Sequence, residues 1–136
     1  MRILIINCVY QEGSTGKIVE CLANELKKRG HRLVFLSNCK RAYMQAHDME
    51  FGLNRFFDGF FCCEDYDFAP KSEIFERIQE EFPSSYIAVG DRRGDINLPA
   101  DFRIGCLYGF GTTEELDLAD VLINSIEELL TIPNID

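Results

Sequence analysis

Short β-branched apolar runs alternate with stretches of helical period along the whole chain, and that alternation leaves few folds open. Arg2 to Ile6 is such a run, the mark of a strand buried on both faces of a parallel sheet. After a turn containing Gly13 and Gly16, apolar residues recur at Ile18, Val19, Leu22, Ala23 and Leu26. They form one face of a helix with Lys27, Lys28 and Arg29 in its last turn and Gly30 as its stop. Leu33 to Leu36 reads as a second strand, roughly Ala42 to Glu50 as a helix, and Gly59 to Cys62 as a third strand. Ile74, Phe75, Ile78 and Phe82 predict another amphipathic helix, and Tyr86 to Val89 a fourth strand. Arg103 to Leu107 and Val121 to Ile123 are two more short strands, and Ser125 is placed to cap a last helix. Such a rhythm predicts an α/β fold, a parallel sheet with helices on both faces. No repeat, linker or low-complexity stretch divides the 136 residues, so a single domain over 1–136 is expected, and 46% hydrophobic content suffices for its core.

Charge narrows the partners. With 23 acidic against 14 basic residues the formal net charge is -9, the wrong sign for a nucleic-acid footprint or an anionic membrane surface. Neither is expected as a partner. An acidic chain that handles phosphate needs a cation or a helix N-terminus to reverse the sign locally. No segment approaches the roughly 18 consecutive apolar residues of a membrane span, and the N-terminus lacks a signal peptide's basic-then-apolar plan. A cytoplasmic location follows as the expectation. The cysteines Cys8, Cys21, Cys39, Cys62, Cys63 and Cys106 show neither a CxxC pair nor Cys/His ligand spacing, and read as reduced thiols acting as small core hydrophobes. A cysteine phosphatase loop is excluded, because the places where its arginine would stand hold Ser14, Lys27, Gln45, Phe68, Ala69 and Thr112.

In open parallel sheets ligands bind beyond the C-terminal ends of the strands. The residues there are Asn7 after the first strand, Ser37 and Asn38 after the second, and Gly90 and Asp91 after the fourth. Asp91 and Asp95 share the stretch Gly90-Asp91-Arg92-Arg93-Gly94-Asp95. Oxygen ligands on a turn leading out of a strand suit octahedral Mg²⁺, which keeps several of its waters. By itself the pair reads sooner as an acidic solvated turn than as a metal site.

Four segments together carry a resemblance. The run Tyr86 to Asp95, YIAVGDRRGD, resembles the fourth motif of the haloacid dehalogenase-like superfamily, and Leu33 to Asn38, LVFLSN, resembles its second. Lys71 in APKSEIFERI stands where the third-motif lysine opens a helix. FGLNRFFDGFF, LYGFGTTEEL and ADVLINSIEEL are similar to phosphoglycolate phosphatase-like members, so that the match covers about residues 25 to 136 in order. The resemblance implies a three-layer Rossmann-like core and a hydrolase, a Mg²⁺-dependent phosphatase of phosphate monoesters. Under it Ser37 and Lys71 are catalytic, Ser37, Asn38 and Lys71 bind the phosphoryl group of a phosphorylated small molecule or sugar, and Asp91 and Asp95 hold the metal. Without it, Ser37 is a turn hydroxyl and Lys71 a solvated helix-start lysine.

The first motif departs from the pattern. The family places DxD at the end of strand one, where the first Asp attacks phosphorus and the second transfers a proton. Here LIINCVYQ puts Asn7 and Val9 at those positions. An amide is no usable nucleophile, and the missing carboxylate is also a metal ligand, so Mg²⁺ is expected to bind weakly. Met1 to His31, with Gly13-Ser14-Thr15-Gly16-Lys17, resembles instead the opening of family 4 GT-B glycosyltransferases. Three readings stand: a phosphatase with some activity, a catalytically inactive relative (a pseudoenzyme) binding a phosphorylated ligand or protein partner, and a glycosyltransferase-derived fragment. The gaps where relatives insert a cap are short, so a capless core with an open site is expected. By resemblance, capless members take large substrates or close the site with another subunit.

Overall fold

In the computed structural model, which describes residues 2–6, 16–37, 40–51, 53–55, 57–108 and 111–135, the apolar runs extend and the helical stretches wind as their periods require. The chain runs β1 (Arg2–Ile6), α1 (Gly16–Lys28), β2 (Arg32–Ser37), α2 (Arg41–Phe51), β3 (Gly59–Cys62), α3 (Lys71–Glu81), β4 (Ser85–Gly90), α4 (Arg93–Ile96), β5 (Phe102–Cys106) and β6 (Val121–Ile123). The six strands form one sheet in the order β3-β2-β1-β4-β5-β6, and every pairing is parallel. β1 is therefore a central strand between β2 and β4.

Alternation along each strand feeds two cores. Leu33, Phe35, Ile87 and Val89 pack with Leu22, Ala23 and Leu26 of α1 and Met44 of α2. Val34, Leu36, Tyr86 and Ala88 point the other way, onto Ile74, Phe75 and Ile78 of α3. Strand residues of period two thus cover both faces, as a parallel sheet demands. Because α1 and α2 lie on one face and α3 on the other, the chain changes direction between β1 and β4. That is where such sheets open a crevice at their C-terminal edge.

An aspartate sets the register at three places. Asp58, just before β3, accepts a hydrogen bond from Leu33 N (2.9 Å) and donates its own N–H to Leu33 O (2.7 Å). Asp101 does the same to Tyr86 (2.8 and 2.9 Å), and Asp120 to Arg103 (2.9 and 2.9 Å). Each ring closes one residue ahead of the first ladder pair, so a strand entering at the wrong offset would leave a carboxylate and an amide unmatched.

Some expectations need correction. Phe82 is not on the buried face of α3 but caps its C-terminus, 45% exposed, and its carbonyl accepts the Tyr86 hydroxyl. The last helix is 3-10, not α: Ile126–Thr131, followed by Pro133–Ile135. Its start is held by Glu128, which accepts from Asn124 N (2.5 Å) and Ser125 N (3.3 Å). Of the described cysteines, Cys62, Cys63 and Cys106 are buried as core hydrophobes, whereas Cys21 is exposed. His31 is buried under the C-terminal turn, with Nε2 2.5 Å from Ile135 O and Nδ1 lacking a hydrogen-bond partner. Among the described residues no helix is long and apolar enough to cross a membrane.

The aspartate rings predict a graded loss. Asp101→Ala should cost about 1 kcal/mol of unfolding free energy in urea titration, the value of a partly exposed charged hydrogen bond, and Asp101→Asn less, since an amide oxygen still accepts. An Asp101→Ala protein as stable as wild type would remove the ring from the account of register.

Candidate functional site

The C-terminal edge of the sheet gathers what the sequence singled out. Ile6 is level with Phe35 of β2 and Val89 of β4, so the end of β1 lies between the approaches to Ser37 and Gly90. Ser37 is the last residue of β2 and is half-buried. Gly90 is the last residue of β4, and Asp91 follows it, 7% exposed. Asn7, Val9, the Gln11 to Thr15 part of the loop and Asn38 lie outside the described residues.

Lys71 opens α3 from the far side of the sheet and is buried, which sets aside its reading as a solvated lysine. Its Nζ donates to Asp95 Oδ1, with both side chains 5% exposed or less. The other Asp95 oxygen accepts the Arg92 amide at 3.3 Å, so the carboxylate folds back over the end of β4. A Cβ on residue 90 would overlap the Asp95 side chain, which is why the strand has to end in glycine. Burial of Asp95 and Asp91 likewise excludes the solvated-turn reading. Lys71 and Asp95 thus form an ion pair with both partners buried, and Asp91, after the end of β4, is buried as well.

The donor set bears on a divalent cation. Asp91 and Asp95 offer hard oxygens of the kind Mg²⁺ takes. Among the described residues no three His, Cys, Asp or Glu side chains converge, and one of the two carboxylates already holds Lys71. The residues fit such an ion in kind, through Asp91 above all.

Two sets of contacts around the site were not legible as functional. Arg41, at the start of α2, bonds across to the turn after β3: its N–H donates to Glu64 Oε2 (2.7 Å) and its Nε to Asp65 Oδ1 (2.8 Å). Asp65 also accepts from Cys62 Sγ at 3.0 Å, and this bond, followed by Arg41, holds its carboxyl below the usual carboxylate range. The start of α2 is thereby tied to the turn after β3. Between β3 and α3 the chain makes only the 3-10 turn Cys63–Tyr66 and a left-handed pair, Asp67 (φ 54°) and Phe68 (φ 55°), with Phe68 58% exposed. No folded lid covers Asp91 among the described residues. The second set involves Glu115, which reaches Arg92 and Arg93. Only the opposite signs of Arg92-Arg93 and Glu114-Glu115 hint at it in the sequence.

The buried pair yields a cycle. Lys71→Met should cost about 3 to 5 kcal/mol, because it strands the Asp95 charge in the interior, and adding Asp95→Asn should recover much of that loss. Urea unfolding of the four proteins measures it, and additive losses would show that the two groups do not depend on each other.

Comparison with known proteins agrees with this geometry. The haloacid dehalogenase-like hydrolase family profile matches residues 10–98, more than half of the chain. Among solved structures, a predicted phosphatase from Clostridium acetobutylicum is 29% identical with a TM-score of 0.70 over 83% of this chain and 56% of its own. A predicted phosphoglycolate phosphatase from Haemophilus somnus (19% identity, TM-score 0.70, 83% and 54%) shares the fold. So does a phosphoserine phosphatase solved as a phospho-aspartyl intermediate analogue (20%, 0.65, 83% and 61%). The chain thus spans little more than half the length of these relatives, and no curated protein matches it. On the profile match and the parallel sheet with its clustered Lys71, Asp91 and Asp95, the chain belongs to the haloacid dehalogenase-like hydrolase family.

Proposed function

We propose that this member of the family binds a phosphorylated small molecule or sugar at the C-terminal edge of its sheet but lacks the carboxylate that would attack it. The observation that carries the reading is the buried Lys71–Asp95 pair beside Asp91, set against Asn7 and Val9 at the end of β1. The Ser37 hydroxyl and Asn38 donate hydrogen bonds to phosphoryl oxygens, and Lys71 adds the positive charge an acidic chain otherwise lacks there. Asp91 is the carboxylate that would hold Mg²⁺, with Asp95 fixed by Lys71 at its side. When bound, that cation supplies charge neutralisation on the phosphoryl oxygens. Positioning and charge compensation are most of what a phosphoryl-transfer site provides. What this one omits is the nucleophile.

The phosphoserine phosphatase relative, solved as a phospho-aspartyl analogue, supports the contrast, since Asn7 cannot form that bond. A second reading, Mg²⁺-dependent hydrolysis in this chain as it stands, is supported by the family resemblance of the segments that carry Ser37, Lys71 and Asp91. The protein is read as cytoplasmic, consistent with Cys21, Cys62, Cys63 and Cys106 forming no disulfide, and as one core domain without a cap. Its open edge is closed by a large ligand or by another subunit.

Two experiments test this. In a Mg²⁺-dependent assay on a generic aryl phosphate, wild type should show negligible turnover and no aspartyl-phosphate, whereas Asn7→Asp with Val9→Asp should gain measurable hydrolysis. Robust wild-type turnover abolished by Asp91→Asn would replace the binding reading by the second one. Calorimetry should find weak Mg²⁺ binding in wild type, tighter binding in Asn7→Asp, which restores a protein oxygen, and none in Asp91→Ala. Tight binding that survives Asp91→Ala would move the cation elsewhere.

A further inference from the structure

The turn that carries Asp91 and Asp95 is braced from outside by a segment with no assigned role. Glu115 Oε1 accepts the Arg93 backbone N–H at 3.1 Å and the Arg92 Nε at 2.9 Å, and its side chain is only 21% exposed. Its neighbour contributes a longer contact, Arg93 Nη2 to Glu114 O at 3.5 Å. The brace is itself anchored. Thr112 Oγ1 accepts from Glu115 N (3.2 Å), Thr112 O accepts from Leu116 N (3.1 Å), and Leu116 is 1% exposed in the interior. Gly111 lies so close to the Asp91 carbonyl that a Cβ there would overlap it.

The first amides of α4 have no partner within the helix and need outside acceptors. Arg92 N is taken by Asp95 from within the turn, and Arg93 N by Glu115 from across the gap. Asp91 stands immediately before these two residues, between the end of β4 and the braced amides, with Gly111 against its carbonyl. Its backbone is therefore held at both ends and on one side. We propose that Glu115 is the positioning residue of this turn, fixing the backbone from which Asp91 faces the site and holding Arg92 at the rim. It deepens the reading above and rests on it only for the cation.

The test uses Glu115→Ala, which removes both bonds, Glu115→Gln, which keeps an acceptor for Arg93 N but not the charge, and Glu73→Ala, which removes an exposed helix ion pair elsewhere. Amide hydrogen exchange of Arg93 is followed by NMR in the metal-free proteins, and Mg²⁺ alone is titrated by calorimetry. In Glu115→Ala the Arg93 amide should exchange faster and Mg²⁺ affinity should fall about tenfold, the loss typical when a supporting partner of a metal site is removed. Glu115→Gln should keep most of the protection, and Glu73→Ala should match wild type in both measurements. Unchanged Arg93 exchange in Glu115→Ala overturns the proposal, as does faster exchange with unchanged Mg²⁺ affinity. If wild type takes up no Mg²⁺, the cation assignment at Asp91 falls, and the Arg93 exchange alone decides the role of Glu115. Should Glu115→Ala fail to fold, slowed or wild-type exchange in Glu115→Gln supports the brace, and full loss of protection there overturns it.

Discussion

A lysine ammonium and a carboxylate, both nearly out of contact with water, meet where α3 begins and β4 ends. Removing two charges from water is costly, and the cost is offset only while each group keeps the other. The pair therefore joins three things that sequence holds apart: the crossover helix arriving from the far edge of the sheet, the end of a central strand, and the short helix after it. It accounts for the glycine at position 90, since a carboxylate turned back toward Lys71 occupies the space of a Cβ.

Around this pair the chain repeatedly uses acidic side chains as acceptors for backbone amides. Asp58, Asp101 and Asp120 close rings at strand entries, Glu128 holds the start of a 3-10 helix, Glu64 takes the first amide of α2, and Glu115 takes that of α4. Carboxylates at such places satisfy amides that no ladder or helix reaches. An excess of acidic residues that looks like a solubility feature in composition is thus spent in part on architecture. The same excess makes the buried ammonium of Lys71 more consequential for any anionic ligand.

The chain covers little more than half of the length of the relatives it resembles. Only a 3-10 turn and a left-handed pair lie between β3 and α3, so no folded lid is inserted there. Arg41 at the start of α2 is held to Glu64 and Asp65 in the turn after β3.

How much of this was legible follows from the range of the interactions involved. Period-two and helical apolar patterns report which face of a segment is buried, a local property, and they located the strands, the helices and the parallel α/β class. Ser37, Lys71, Asp91 and Asp95 stand out in the sequence because strand ends are where such sheets bind ligands and because the spacing of the four segments matches a family; the structure adds that Lys71, Asp91 and Asp95 are buried. The absence of a carboxylate at Asn7 and Val9 was equally plain, since it needs no geometry. Phe82 was misplaced because its helix ends one residue early and the Tyr86 hydroxyl takes its carbonyl, a contact that apolar period cannot register. Lys71 could be read as solvated until α3 was docked on β4, for burial of a charge depends on what covers it. Glu115 and Asp65 acquire their roles only across loops distant in sequence. The sequence by itself determined which chemical groups the chain owns and which layer each segment enters; tertiary structure decided which charges meet, because pairing of buried charges is settled by packing between segments and not within them.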